Sequence, residues 1–142
     1  MDDQVEEVRN VVLLSSTGER FRGEFRLFGE QRDESIKLVL ISDPCGEIAA
    51  NDDDYFSALS KIRMILEDRG IFPVCYGAGL NVFPSPMIRS MGEGSKAYKL
   101  TLGSPAKNSD LVDIFDSEDG LELAGVKDQA AFYESWIKSL DK

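Results

Sequence analysis

The stretch VRNVVLLSSTGERFRGEFRLF, residues 8–28, decides the class of fold. In its second half Phe21, Gly23, Phe25 and Leu27 interleave with Arg20, Arg22, Glu24 and Arg26. A period of two puts the first set on one face of a β-strand and the second set on the other, so one face meets a core and the other is charged. The first half, VRNVVLLSS, also reads as a strand, with TGE as the turn between them. Working outward, GEQRDES (29–35) is a polar break and IKLVLIS (36–42) a third apolar run rich in β-branched residues. The simplest arrangement is a three-stranded antiparallel meander, with DPCGE (43–47) as its exit loop.

Beyond the meander the period changes. Tyr55, Ala58, Leu59, Ile62, Ile65 and Leu66 form one helical stripe that starts after NDDD (51–54) and stops at Gly70. IFPVCY (71–76) is extended, PSPMIRSM (84–91) a short helix, and KAYKLTL (96–102) and DLVDIFD (110–116) are strands. The segment from Lys127 to Lys142 carries Phe132, Tyr133, Trp136, Ile137 and Leu140 on one side and is an amphipathic helix. Runs of strands with few helices between them predict an α+β fold: a mainly antiparallel sheet with one central and one C-terminal amphipathic helix packed on it. No repeat or low-complexity linker divides the chain, so a single domain, 1–142, is expected.

Composition narrows the function. Twenty-six acidic against sixteen basic residues give a formal net charge of −10, which opposes approach to nucleic-acid phosphates and anionic lipid. The expected partner is therefore a protein, with no nucleic acid and no membrane. The acidic start, MDDQVEEVRN, has neither the basic nor the apolar region of a signal peptide, and no apolar run approaches the ~20 residues of a spanning helix. A cytoplasmic location is the expectation, with Cys45 and Cys75 as reduced thiols.

The chain has no histidine, which removes Ser-His-Asp and Cys-His arrangements and imidazole zinc sites together. Cys45 sits beside acids that weaken it as a nucleophile, and Cys75 reads as a small core residue. Asp52, Asp53 and Asp54 lack the alternating pattern and distal glutamate of a calcium loop, and fit better as caps for the free N–H groups of a first helical turn. No catalytic residue, metal or cofactor is expected.

The glycine-rich loop needs a closer reading. GEGSK (92–96) invites comparison with phosphate-binding loops, but those run from a strand into a helix, and here a helix comes first and a strand follows. Gly92 and Gly94 read instead as a helix C-cap and a tight turn, Ser85 as the N-cap of a helix starting at Pro86, and Gly77 and Gly79 as points of close backbone approach.

YGAGLNVFPSPMIRSMGEGSKAYKL (76–100), DLVDIF (110–115) and DQAAFYESW (128–136) together carry a resemblance. Across Tyr55 to Trp136 the chain resembles a group of small acidic bacterial proteins of unassigned activity, similar to the immunity proteins of contact-dependent and related polymorphic toxin systems. Immunity proteins share a task more than a fold, so the resemblance implies no catalytic residues. It implies a non-enzymatic protein-binding module that neutralises a toxin domain, such as a basic nuclease, through an acidic surface. Asp52, Asp53, Asp54, Glu118 and Asp119 are then the candidate acidic contacts, with exposed Tyr55 and Tyr76 as aromatic anchors. A rival expectation is a small-ligand or phosphate-binding enzyme in which Tyr76, Asn81, Ser85, Arg89, Ser95 and Lys96 converge on an anion. A third is a structural or regulatory subunit docking through an open sheet edge. The sequence leaves the oligomeric state open.

Overall fold

A computed structural model describes residues 4–141. The alternating stretch forms a long hairpin: β1 (Glu7–Ser15) turns at residues 16–19 into β2 (Arg20–Glu30). β2 pairs with β3 (Ile36–Ser42), and β3 pairs with β4 (Gly46–Asp52). Phe25, Leu27, Leu38 and Leu40 fall on the inner face and are buried, while Arg20 and Arg22 stand exposed on the outer one. After α1 (Tyr55–Glu67), β5 (Ile71–Val74) returns antiparallel to β1. The result is one five-stranded antiparallel sheet in the order β4-β3-β2-β1-β5.

A second, three-stranded antiparallel sheet is built from β6 (Val82–Phe83), β7 (Lys96–Lys99) and β8 (Leu111–Asp113). The short helix α2 (Pro86–Met91) lies between β6 and β7, and α3 (Val126–Ser139) ends the fold. α1 fills the inner face of the large sheet with Phe56, Ala58, Leu59, Ile62 and Leu66, all at most 2% exposed. One continuous buried cluster then runs from Val11 and Phe25 through α1 to Val82, Ala97 and Ile114 of the small sheet. This is the α+β architecture anticipated, with a mainly antiparallel sheet and the central amphipathic helix packed on it. Among the described residues no helix is long and apolar enough to cross a membrane.

Two readings need correction. The meander has four strands, and DPCGE is the hairpin turn into β4 rather than an exit loop: Ser42 pairs with Gly46 and Ile36 with Asp52. The other concerns α3, which contacts β6 of the small sheet and α1 rather than lying flat on the large sheet. Tyr133 stacks on Phe83 at 4.2 Å, and Trp136 Nε1 donates to the Ser104 carbonyl at 2.9 Å. Ile137 and Leu140 stay more than a third exposed, so the apolar side of α3 is only partly seated.

Candidate functional site

The start of α1 organises an acidic part of the surface. Asp54 takes an extended conformation and its Oδ1 accepts the Ser57 N–H at 2.7 Å, an N-cap that satisfies one of the helix's free donors. One residue on, the Tyr55 ring turns inward against Phe115, edge-on with centroids 6.1 Å apart. Its hydroxyl accepts the Gly29 N–H at 2.7 Å. Burial pushes the Tyr55 hydroxyl up to about 12, against the Gly29 bond, and the negative charges of Glu93, Glu6 and Glu7 add to the rise.

Those three glutamates reach the same place from distant parts of the chain. Glu6 and Glu7 arrive because the Glu6 N–H bonds the Leu27 carbonyl at 2.8 Å and Glu7 pairs with Leu27, which sets them beside the β2–β3 corner. Glu93 arrives because a tight turn, with positive φ at Glu93 and Gly94, lets its carbonyl accept the Tyr55 N–H at 2.7 Å. Glu6, Glu7, Glu93 and Asp53 are exposed, and half-buried Asp52 is offset by Lys61 at 3.2 Å. The α1 end is thus a carboxylate-rich rim around a buried tyrosine.

Beside this rim lies a second charged cluster. Arg9 bonds Asp113 at 2.9 Å, also bonds Asp116, and spreads over the Phe115 ring at 5.9 Å. Burial pulls its guanidinium down, but Asp113, Asp116 and Glu7 outweigh that and hold it above the ordinary arginine range. Past Phe115 the loop at residues 116–120 is exposed and carries Glu118 and Asp119. Glu118 accepts the Tyr76 hydroxyl at 2.6 Å and Lys99 Nζ at 3.3 Å, and both bonds draw its carboxyl below the usual range. The same bond, with burial, pushes the Tyr76 hydroxyl up to about 12.

Of the acidic contacts read from sequence, Asp53 and Asp119 are exposed and unengaged, while Asp52 and Glu118 are exposed enough to be reached but already hold a lysine. Asp54 is corrected: at 4% exposure it is a buried cap, closed over by Gly94, and not a contact. Tyr55 and Tyr76 are corrected as well. They are 3% and 9% exposed, because both rings complete the core and both hydroxyls are bonded within the chain. The reading missed Glu6, Glu7 and Glu93. The acidic leader was visible, but only strand register and the turn at residues 92–94 bring these side chains together.

Most residues of the rival anion site are in structural use. Asn81 Nδ2 donates to the Leu100 carbonyl, Ser85 Oγ caps the Ile88 N–H, and Ser95 Oγ turns back to Gly92. Arg89 lies over the rings of Phe56 and Phe83, 5.2 and 5.4 Å from their centroids. Lys96 opens β7, in register with Asp113. Among the described residues no group of three or more Cys, Asp or Glu side chains is placed to hold a metal ion. Cys45 and Cys75 are both free, and burial pushes the Cys75 thiol up to about 11, which keeps it protonated and inert. The chain matches no protein-family model, and no curated protein matches it.

Proposed function

We propose that the chain is a non-enzymatic binding protein of the immunity type, which neutralises a basic toxin domain by covering it with the carboxylate rim at the start of α1. The observation that carries this reading is the gathering of Glu6, Glu7, Asp53 and Glu93, from three separate segments, onto one exposed end of a protein of net charge −10. Such a rim raises the encounter rate with a basic surface and can occupy a site shaped for phosphates. The absence of histidine and the structural use of Asn81, Ser85 and Arg89 in the Gly-rich loop support a binding role.

The test is co-expression with a toxin domain encoded beside this gene, followed by calorimetry at low and high salt. Growth rescue is expected, together with an affinity that falls as salt rises and drops about a hundredfold in a Glu7→Lys, Asp53→Lys, Glu93→Lys variant, at roughly 1 kcal/mol per reversed charge. Rescue and affinity unchanged in that variant would remove the rim from the interface.

A further inference from the structure

One strand of the large sheet and one flank of α1 are left without a partner at the same place. β4 ends the sheet, and among the described residues no strand pairs with its outer side. Edge strands are ordinarily guarded by a proline, a lysine, a bulge or short length. β5, at the opposite end, is four residues long and contains Pro73. β4 is seven residues long, pairs with β3 in unbroken register, and carries neither charge nor proline at residues 48–50.

The main chain of β4 offers its hydrogen bonds to the open side. Lys61 Nζ, coming from α1, donates to the Asn51 carbonyl at 2.8 Å, so that carbonyl points away from β3. By the alternation of an antiparallel ladder, the N–H and C=O groups of Ala49 and Glu47 point the same way. Ile48 and Ala50 turn their side chains into the core, while Glu47, Ala49 and Asn51 stand exposed on the other face.

Along this edge runs a flank of α1 that the core does not use. Lys61, Ile65 and Asp68 follow at i, i+4 and i+7, and the reach of Lys61 to Asn51 turns that flank toward β4. Ile65 belongs to the apolar stripe of the helix yet is 40% exposed, and Met64 beside it is 52% exposed. The opposite flank is occupied, since Arg63 and Glu67 hold Ala124 and Val126 where α3 begins.

We propose that β4 and this flank of α1 form a self-docking surface, which takes a second copy of the chain with its β4 antiparallel, about a twofold axis through Ala49. Strand addition of this kind draws affinity from main-chain hydrogen bonds. What selects a second copy is that the surface complements itself. Glu47 comes opposite Asn51 of the second copy, whose neighbour in β3 is Lys37, and Asp52, offset by Lys61, comes opposite Gly46, so no like charges meet across the strands. Ala49, at the axis, is small enough to let the strands close. The axis also runs the two helices antiparallel, which sets Lys61 toward Asp68 of the second copy and covers Ile65 with the matching flank. Two five-stranded sheets become one continuous sheet. The starts of the two α1 helices lie at opposite ends of the joined strands, so the carboxylate rim stays open on both copies and this inference does not rest on the proposed function.

The experiment is sedimentation equilibrium of the whole protein over a range of concentrations and salt. A dimer mass is expected by about 100 μM, favoured by added salt because each copy carries a net charge of −10. Ala49→Lys and Ile65→Glu, both at exposed positions, should each weaken the dimer about tenfold or more, with an unchanged circular dichroism spectrum confirming the fold. Register is read by oxidation in a Cys45→Ser background. Ala49→Cys should link to its own copy, because opposed residues lie about 5.5 Å apart between Cα atoms, within the roughly 4.4 to 6.8 Å that a disulfide spans. Glu47→Cys should not, because its counterpart lies beyond the axis. A single-chain mass up to about 500 μM, a dimer that survives both substitutions in folded variants, or Glu47→Cys linking as readily as Ala49→Cys would overturn the proposal. So would a chain that stays single and whose β4 amides become protected from exchange only when a toxin domain is added, which would give this edge to that partner.

Discussion

Among the described residues Arg63 is the largest fully buried side chain, 1% exposed, and it is hydrogen-bonded to carbonyls and an amide rather than to a carboxylate. Its Nη1 donates to the Gly77 carbonyl and to Gln129 Oε1, and its Nη2 to the Ala124 carbonyl, at 2.7 to 2.8 Å, while Nε is left without a partner. Burial accordingly pulls the guanidinium below the ordinary arginine range, with Glu67 and Cys75 opposing. What makes the arrangement tolerable is Gln129, also 1% exposed, whose Nε2 donates to the carbonyls of Gly77, Gly79 and Val82. One amide thus ties α3 to the loop after β5 and to β6, and completes the arginine's shell. In Gln129→Leu the Gly77 carbonyl keeps Arg63 and the Gly79 carbonyl keeps the Val82 N–H, but the Val82 carbonyl loses this donor and one buried guanidinium N–H its acceptor, so a loss of about 3 kcal/mol is expected in urea unfolding. A loss below about 1 kcal/mol would mean that water takes over these bonds. Gly77 belongs to the same junction: its N–H bonds Ile114, and a methyl group there would run into Leu59 and Ile114, the close approach that a glycine in an extended run announces.

Elements differ in how far their formation follows from their own residues. α1 is largely self-announcing: Tyr55, Ala58, Leu59, Ile62 and Leu66 of its apolar stripe are buried, though Ile65 is exposed, and Asp54 caps it where the sequence placed a cap. Asp54→Ala should therefore cost about 1 kcal/mol, seen as a lower urea midpoint, while Asp54→Asn keeps most of the stability because an amide oxygen accepts the same Ser57 bond. Equal losses in the two variants would assign the effect to packing under Gly94 instead. β1, β2 and β3 were legible for the same reason, since alternation and β-branched residues act locally. β4 was not: GEIAAND contains alanines, Asn51, Asp52 and Gly46, all poor strand formers, and becomes a strand because β3 offers an edge and Ile48 and Ala50 face the core. β6, two residues long, exists only through pairing with β7. The site divides likewise. The acidic run before α1 and the acidic loop holding Glu118 were visible, but Tyr55 already lay on the helix's apolar stripe, and that pattern, rather than its aromatic character, decided its burial. Glu93 carried no local signal, because its place depends on where a left-handed turn delivers the chain.

At the scale of the whole molecule, part of the charge is grouped. Carboxylates collect at the α1 end and in the loop after Phe115, while Arg20, Arg22 and Arg26 occupy the uncovered sheet face. The interior is titratable at only a few points, and none of them works near neutrality. With no histidine in the chain, the side chain that ordinarily changes charge between about pH 5 and 8 is missing. Tyr55 and Tyr76 are both pushed up to about 12, so the folded form holds their protons more tightly than the unfolded form does. A group raised in this way contributes stability fully below its unfolded value, and the contribution disappears as pH climbs through the folded value. Stability should accordingly stay level from about pH 6 to 8 and fall from about pH 10 to 12, with buried Tyr55 alone responsible for about 1 kcal/mol by roughly pH 11. Urea midpoints at these pH values check the shape, and Tyr55→Phe should flatten the alkaline limb. Absorbance titration should show two of the four tyrosines ionising late. A midpoint that moves as far between pH 6 and 8 as between 9 and 11 would overturn the assignment of the alkaline limb to Tyr55 and Tyr76.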